Sequence, residues 1–139
     1  MIEIYVSCPF RDANETTMTL RAAAATLYTT HLWAHGYRAF SPLTHNHALI
    51  RTAVGERLHV RADQRGFLEM NSAILPSALK VHLLELPGWQ ESCGVAAEID
   101  EARRRSIEIK VIPADELAGL SEALRGTVEK LRRRDAVGE

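Results

Sequence analysis

The feature that most constrains the fold is an apolar run that passes through a small-residue turn into a helical pattern. Val81–Leu86 is apolar except for one His and one Glu, and Pro87 and Gly88 then interrupt regular structure. A helical pattern starts at about Val95, so the order is strand, loop, helix. Such a turn leaves free backbone N–H groups at the helix start, where an anion or a polar substrate group can bind.

Glu98 lies near the start of this helix. Open α/β sheets bind ligands in the crevice at the carboxyl ends of their strands, so a carboxylate here is a candidate functional group. A glutamate near a helix N-terminus is also stabilised by the helix dipole alone. The spacing by itself therefore leaves both interpretations of Glu98 open.

Strands and helices alternate along the whole chain. Asn14 or Thr16 is expected to cap the first long helix, and Gly36 to end it. The alternation predicts a parallel α/β sheet with helices on both faces. The patterns predict strands over 1–8, 37–40, 80–86 and 106–112, helices over 15–35, 67–78 and 93–105, and one or two helices over 115–134, broken near 119.

The composition bounds the possible functions. The 139 residues suit one domain, and an apolar fraction of 46% is enough for a core. A net charge of −1 predicts no general attraction to nucleic acid, and no apolar run is long enough to span a membrane. The start of the chain does not resemble a signal peptide, and Cys8 and Cys93 form no CxxC motif. We therefore expect a cytoplasmic protein with reduced thiols.

Three segments are expected to meet at the carboxyl edge of the sheet: Ser7–Asp12, Ser41–His47, predicted as a polar loop, and Gly88–Glu98. Residues 48–66, which carry four arginines, are interpreted as a charged mobile segment and a candidate lid. The two histidines, His45 and His47, are too few to form a metal site. One carboxylate, Glu98, beside an anion subsite suits nucleophilic attack on a sugar carbon. The polar residues brought together are Tyr5, Ser7, Arg11, His45, His47, Ser92 and Glu98.

Three motifs in order, IYVSCPF, FSPLTHNHAL and GWQESCGVAAEIDEA, resemble the nucleoside 2-deoxyribosyltransferase-like superfamily. The closest resemblance is to its nucleotide N-hydrolases and its small phage and bacterial members. It covers about residues 1–112 of a single domain, and 113–139 form a helical tail. The resemblance implies a Rossmann-like (flavodoxin-like) three-layer sandwich with a mostly parallel sheet of four or five strands. It also implies cleavage of an N-glycosidic bond through a glycosyl–glutamate intermediate.

The resemblance assigns roles to the residues that match its last and first motifs. The nucleophile falls on Glu98, the tyrosine that orients it on Tyr5, and the glycine before the helix on Gly94. Ser92 stands where the transferases have an Asp that contacts the sugar and the nucleotide hydrolases a Ser that contacts the 5′-phosphate. The resemblance therefore favours a nucleoside 5′-monophosphate as substrate and water as acceptor.

Other matches are less regular. Ser7 and Arg11 match the first-loop region that helps to hold the phosphate, without its usual glycines. Asn71 stands where the family usually has an Asp that helps to protonate the leaving base, and Asn is no acid. Either Glu69 or a loop histidine (His45 or His47) takes that role, or the base is a good leaving group, or activity is lost.

The resemblance therefore implies hydrolysis of a (deoxy)ribonucleoside 5′-monophosphate to free base and sugar 5-phosphate. The alternatives are base exchange by a nucleoside 2-deoxyribosyltransferase, or a non-catalytic nucleotide-binding or sensing module on the same fold. No cofactor is predicted, because the chain has neither a P-loop nor a GxGxxG motif. The resemblance implies a homodimer or a higher homo-oligomer. It leaves open which base is released and whether the sugar carries a 2′-hydroxyl.

Overall fold

The computed structural model describes residues 1–61 and 65–137. Its regular elements follow one another with short connections. Two 3₁₀ turns, Leu75–Ser77 and Trp89–Glu91, flank the third strand. The elements are β1 Ile2–Ser7, α1 Glu15–Ala34, β2 Ala39–Phe40, α2 Pro42–Ile50, α3 Ala53–Arg57, α4 Arg65–Ile74, β3 Ala78–Glu85, α5 Cys93–Arg104, β4 Glu108–Pro113, α6 Ala114–Leu120 and α7 Glu122–Ala136.

The strands form one parallel sheet with the order β2-β1-β3-β4. The first strand of the chain is therefore central, between β2 and β3, as a strand followed by a crossover helix usually is. Helices cover both faces of the sheet. The predicted Rossmann-like α/β class is confirmed, with four strands that are all parallel.

Alternation along β1 decides which side chains meet which helices, because successive residues of a strand point to opposite faces. Ile4 and Val6 join the buried cluster formed with α1, α6 and α7. Tyr5 points to the other face and packs in the cluster that contains Ala102 of α5. Ser7 follows two residues later, so its hydroxyl also lies on the α5 face.

Helix α1 begins and ends where local chemistry predicts. Asn14 is the N-cap, and its side chain accepts hydrogen bonds from the backbone N–H groups of Thr16 and Thr17. Gly36 follows the C-cap with φ of +87°, a conformation that glycine adopts without steric cost. The predicted start and end of this helix are confirmed.

The prediction of a polar loop over Ser41–His47 is wrong, because α2 begins at Pro42. The Ser41 side chain accepts a hydrogen bond from the Thr44 backbone N–H at 3.0 Å, and Pro42 supplies a backbone φ suited to the first helical turn. A serine followed by a proline is a helix-start signal, so the evidence for this helix was present in the sequence.

Two other segments differ in detail from the prediction. Helices α2 and α3 extend into residues 48–66, while 62–64 lie outside the described residues. The tail forms two helices, α6 and α7, and the break predicted near Gly119 falls at Ser121. The Ser121 side chain caps α7 by accepting from the Leu124 backbone N–H at 3.1 Å. A hydroxyl that can cap the next helix decided where the break falls.

Candidate active site

The centre of the candidate site is the carboxyl group of Glu98, on the second turn of α5. The Tyr5 hydroxyl donates a hydrogen bond to one carboxylate oxygen, and the Ser7 hydroxyl donates to the other at 2.9 Å. Tyr5 and Ser7 are both 0% exposed, while Glu98 is half-buried. Each carboxylate oxygen of this α5 residue is therefore held by its own donor from β1.

Burial sets the protonation chemistry of this group. It raises the pKa of Glu98 to about 7, and the hydrogen bonds from Tyr5 and Ser7 to the carboxylate limit the rise. Burial, and then the neighbouring Glu98 charge, raises the pKa of the Tyr5 phenol, so this hydroxyl stays protonated and continues to donate. A carboxyl group that ionises near neutral pH is suited to act as a nucleophile or a base.

The turn into α5 offers backbone N–H groups beside this carboxylate. Ser92 is the N-cap, and its Oγ accepts from the Val95 backbone N–H at 3.2 Å. A Cβ built on Gly94 meets no atom closer than the Ser92 Oγ at 3.9 Å, so a ligand can approach the backbone here. A helix start of this kind favours a bound anion through its dipole and its free N–H groups.

Sequence reasoning missed Arg21, which joins two of the loops around the site. This arginine is 6% exposed. Its Nη1 donates to the carbonyls of Phe10 at 3.3 Å and Arg11 at 3.0 Å, and its Nη2 donates to the carbonyl of Pro87 at 3.0 Å. The available signal was its position four residues after Thr17, on the buried face of α1.

The Arg21 guanidinium also explains a glycine in the turn after β3. Gly88 has φ of +87°, and a Cβ built there would lie 2.4 Å from the Arg21 Nη2. Any side chain at this position would displace the guanidinium that holds the two loops together. Glycine is therefore required here for both its conformation and its size.

The two histidines of α2 lie near aromatic residues of the first loop and of β2. The His45 ring lies 6.5 Å from the Phe40 ring, which lies 6.3 Å from the Tyr5 ring. The His47 ring packs edge-on against Phe10 at 5.8 Å, and burial followed by the charge of Arg51 lowers its pKa. His45 therefore borders the Tyr5 side of the site, and His47 borders the first loop.

Three other predicted residues are less closely tied to the Glu98 carboxyl. The exposed Glu69 is bonded to Arg65, with Nε and Oε1 2.7 Å apart. Asn71 is half-buried, and its Oδ1 is enclosed without a hydrogen-bond partner in the described part of the chain. The Arg11 side chain is exposed, while its carbonyl accepts from Arg21. Among residues 1–61 and 65–137, no hydrogen bond joins Glu69 or Asn71 to Glu98.

A pocket of about 350 Å³ lies elsewhere, on the face of the sheet that α1 and α6 cover, and β1, β3 and β4 all contribute to its lining. Tyr28, His82 and Lys110 are among its lining residues, and the Tyr28 hydroxyl lies 2.7 Å from the His82 Nδ1. It holds no carboxylate with two hydroxyl donors. The chemistry therefore favours the Glu98 region as the candidate active site.

Neither a ready metal site nor a membrane-spanning helix is found in the described part of the chain. No group of three or more His, Cys, Asp or Glu side chains in 1–61 and 65–137 is arranged to hold a metal ion. No helix in the same ranges has both the length and the apolar character needed to cross a membrane.

A parallel sheet with a partly enclosed carboxylate at its carboxyl edge defines a Rossmann-like α/β protein with a candidate active site. The model of a family described as a domain of unknown function (DUF1937) matches residues 2–113, and the chain belongs to that family. That description states no activity, so it neither supports nor excludes the resemblance to deoxyribosyltransferases. No curated protein matches the chain.

Proposed function

We propose that this protein hydrolyses the N-glycosidic bond of a (deoxy)ribonucleoside 5′-monophosphate, with Glu98 as the nucleophile. The observation that carries the proposal is the Glu98 carboxyl, which Tyr5 and Ser7 hold at both oxygens beside the start of α5. A carboxylate positioned in this way supports attack on a sugar carbon, and its negative charge stabilises the oxocarbenium-like transition state.

The reaction has two displacements at C1′. A carboxylate oxygen of Glu98 forms a bond to C1′, while the bond from C1′ to the base nitrogen breaks and its electron pair leaves with the base. Water then attacks C1′ and displaces the carboxylate, which releases the sugar 5-phosphate. Tyr5 orients the nucleophile in both steps, because its phenol remains protonated.

Ser7 takes a different role in this proposal from the phosphate contact that the resemblance implies. Its side chain is fully buried and bonded to Glu98 at 2.9 Å, which suits a second donor to the nucleophile. The phosphate is then held by the N–H groups at the start of α5 with Ser92 and Gly94, and by Arg11 from the first loop. An N-cap serine and a phosphate contact are compatible, since both use the same helix start.

The leaving base needs a proton, and the described contacts favour His45 as its donor. Glu69 is exposed and paired with Arg65, and Asn71 has no acidic proton to give. His45 borders the Tyr5 side of the site through Phe40. After giving its proton to the base, the imidazole accepts one from the attacking water, so the cycle leaves the enzyme unchanged.

Chromatography of a panel of ribo- and deoxyribonucleoside 5′-monophosphates, with the free nucleosides alongside, tests the proposal. The panel is incubated with the wild type, Glu98→Gln and Asp100→Asn. Asp100→Asn is the matched control, because it removes an exposed carboxylate from the same helix. Free base from a monophosphate with the wild type and the control, but not with Glu98→Gln, is the expected result. Near-normal turnover by Glu98→Gln would show that the mechanism is wrong.

The same panel separates the two alternatives. A new nucleoside formed after an acceptor base is added would identify a transferase, against which Ser92 argues. A raised melting temperature with a panel member, without any product, would identify a binding or sensing module. Either result would replace the hydrolase proposal.

A further inference from the structure

Strand β4 forms an open edge of the sheet. Within the described ranges, β3 is its one strand neighbour, and β4 is six residues long. The strand at the opposite edge, β2, has only two residues. The unpaired backbone N–H and C=O groups along an edge as long as β4 can pair with a strand of another chain.

The side chains along this edge form a regular pattern. Glu108 and Lys110 point to the face covered by α1 and α6, and both are exposed. Ile107, Ile109 and Val111 point to the α5 face, where Val111 is 43% exposed. The edge therefore carries a charged row of opposite signs on one face and an apolar row on the other.

This pattern is complementary to itself. If two copies of β4 pair antiparallel about a two-fold axis at Ile109, Glu108 of each copy lies opposite Lys110 of the other. In the same register, Ile107 lies opposite Val111 on the apolar face. Moving the axis to Glu108 or to Lys110 would instead place like charges opposite each other, which is unfavourable.

The pairing would also extend a charge row that is already present within one chain. Lys80 of β3 is the register partner of Glu108, and the Lys80 Nζ lies 3.4 Å from the Glu108 Oε2. With Lys110 of a second copy on the other side of Glu108, the signs alternate across three neighbouring strands. Opposite charges on adjacent strands stabilise the pairing of those strands.

We infer that β4 is the interface between two copies of this chain, which pair antiparallel about Ile109. The product is a continuous sheet of eight strands, four from each copy. The two-fold axis makes the carboxyl edges of the two halves point in opposite directions, so each Glu98 site remains separate. The inference is therefore independent of the proposed function, and the two can fail separately.

Charge exchange at the interface tests this inference by sedimentation velocity over a range of protein concentrations. The wild type is expected to dimerise reversibly. Glu108→Lys or Lys110→Glu alone places like charges opposite each other twice per dimer, so each should raise the dimer dissociation constant about tenfold or more. The double variant Glu108→Lys/Lys110→Glu restores opposite charges and should restore the dimer. Glu129→Lys, the same charge change on the exposed side of α7, is the control and should have no effect.

Mixing the two single variants removes the remaining ambiguity. Glu108→Lys also opposes Lys80 within its own chain, and this local effect cannot be relieved by mixing. Chains of Glu108→Lys and Lys110→Glu are complementary to each other, so the mixture should form a heterodimer that neither variant forms alone. A tag on one variant allows the other to be co-purified and weighed by mass spectrometry.

Amide hydrogen exchange of the wild type gives a readout that needs no variant. Exchange in residues 107–111 should slow as the protein concentration rises, while exchange in α7 should not change. A chain that stays monomeric at every concentration would overturn the inference. Lys110 would then be interpreted as an edge charge that prevents β4 from pairing with another chain. A dimer that is insensitive to both single charge changes would overturn it equally.

Discussion

Two tyrosines hold titratable side chains on opposite faces of the sheet. Tyr5 donates to Glu98 on the α5 face, and the Tyr28 hydroxyl lies 2.7 Å from the His82 Nδ1 on the α1 face. Burial is the main cause of the pKa shift in both pairs, and it disfavours the charged form in each. It raises the pKa of the acid to about 7 and, with help from Lys110 and Lys80, lowers the pKa of the base to about 4.

The comparison shows why similar burial has different chemical consequences. Glu98 changes charge close to neutral pH, so small changes around it alter its reactivity. His82 remains neutral at pH 7, so its bond with Tyr28 is a structural element of the α1 face. The Glu98 region also has a second hydroxyl donor, Ser7, which the His82 region lacks among the described residues.

Removing the titratable group from each region should give the largest contrast. Glu98→Gln is expected to lower turnover by roughly three orders of magnitude or more, because the proposed nucleophile is lost. His82→Asn keeps a polar partner for Tyr28 and should leave turnover within about twofold. Single-turnover assays on the nucleotide that the panel identifies would measure both. Equal losses in the two variants would remove the functional distinction between the regions.

Removing the tyrosine hydroxyls should give a smaller contrast. Tyr5→Phe deletes a hydrogen bond to the charged form of Glu98, so the pKa of that carboxyl should rise above about 7. We expect kcat/KM to fall about ten- to a hundredfold and its acidic limb to move to higher pH. Tyr28→Phe should leave that limb in place. A limb that is unchanged in Tyr5→Phe would contradict the assignment of Glu98 as the titrating group.

The two regions also differ in how their loops are held. Arg21 donates hydrogen bonds to two loops beside the Glu98 region. Arg21→Met leaves three loop carbonyls without their donor and should lower the free energy of unfolding by about 3 kcal/mol. Arg51→Met removes an exposed arginine that pairs with Glu15 and should cost less than about 1 kcal/mol. Urea denaturation measures both. Similar losses would mean that the two loops hold together without the guanidinium.

The pH dependence of stability should show the smallest effect, with opposite signs in the two regions. The raised pKa of Glu98 favours the folded state below its unfolded value of 4.5, and this advantage is lost as pH rises toward about 7. The lowered pKa of His82 contributes stability above its unfolded value of 6.5, and this contribution is lost as pH falls toward about 4. The two contributions oppose each other between about pH 4.5 and 6.5.

Thermal melts across this window test the opposition. As pH falls, the melting temperature of Glu98→Gln should drop more steeply than that of the wild type. In this variant the stability lost at His82 is no longer offset by a gain at Glu98. As pH falls, the melting temperature of His82→Asn should drop less than that of the wild type, or should rise. The same change of melting temperature with pH in all three proteins would show that neither pKa shift contributes to stability.

Local patterns predicted much of the fold. Alternating apolar residues located β1 and β4, an apolar run located β3, and small residues located the turn before α5. The helix over Pro42–Ile50 was missed because four consecutive polar residues, Thr44–His47, lie at its centre, although Ser41 and Pro42 mark its start. A hydrogen bond from a side chain to the backbone within three residues can be predicted from the sequence, because both partners belong to the same short segment.

The candidate site was predictable in part. The strand–turn–helix pattern drew attention to Glu98, and the resemblance paired it with Tyr5, with which it is hydrogen-bonded in the structure. The position of Ser7 on the same strand face follows from a period of two, yet its bond to Glu98 depends on how α5 packs over β1. Arg21 was missed because an arginine on a helix is usually solvated, and nothing local to α1 shows the loops that cover it.

The sequence by itself determined the order of the four strands and of the helices other than α2 and α3, the caps at Asn14 and Ser92, and the left-handed turn at Gly36. These features depend on contacts within a few residues, whose geometry the backbone fixes. Only the tertiary structure decided that Ser7 holds Glu98, that Arg21 joins Phe10 to Pro87, and that Tyr28 meets His82. These partners lie on different elements, so they meet only after strand register and helix packing have placed them, and that placement then sets the pKa values.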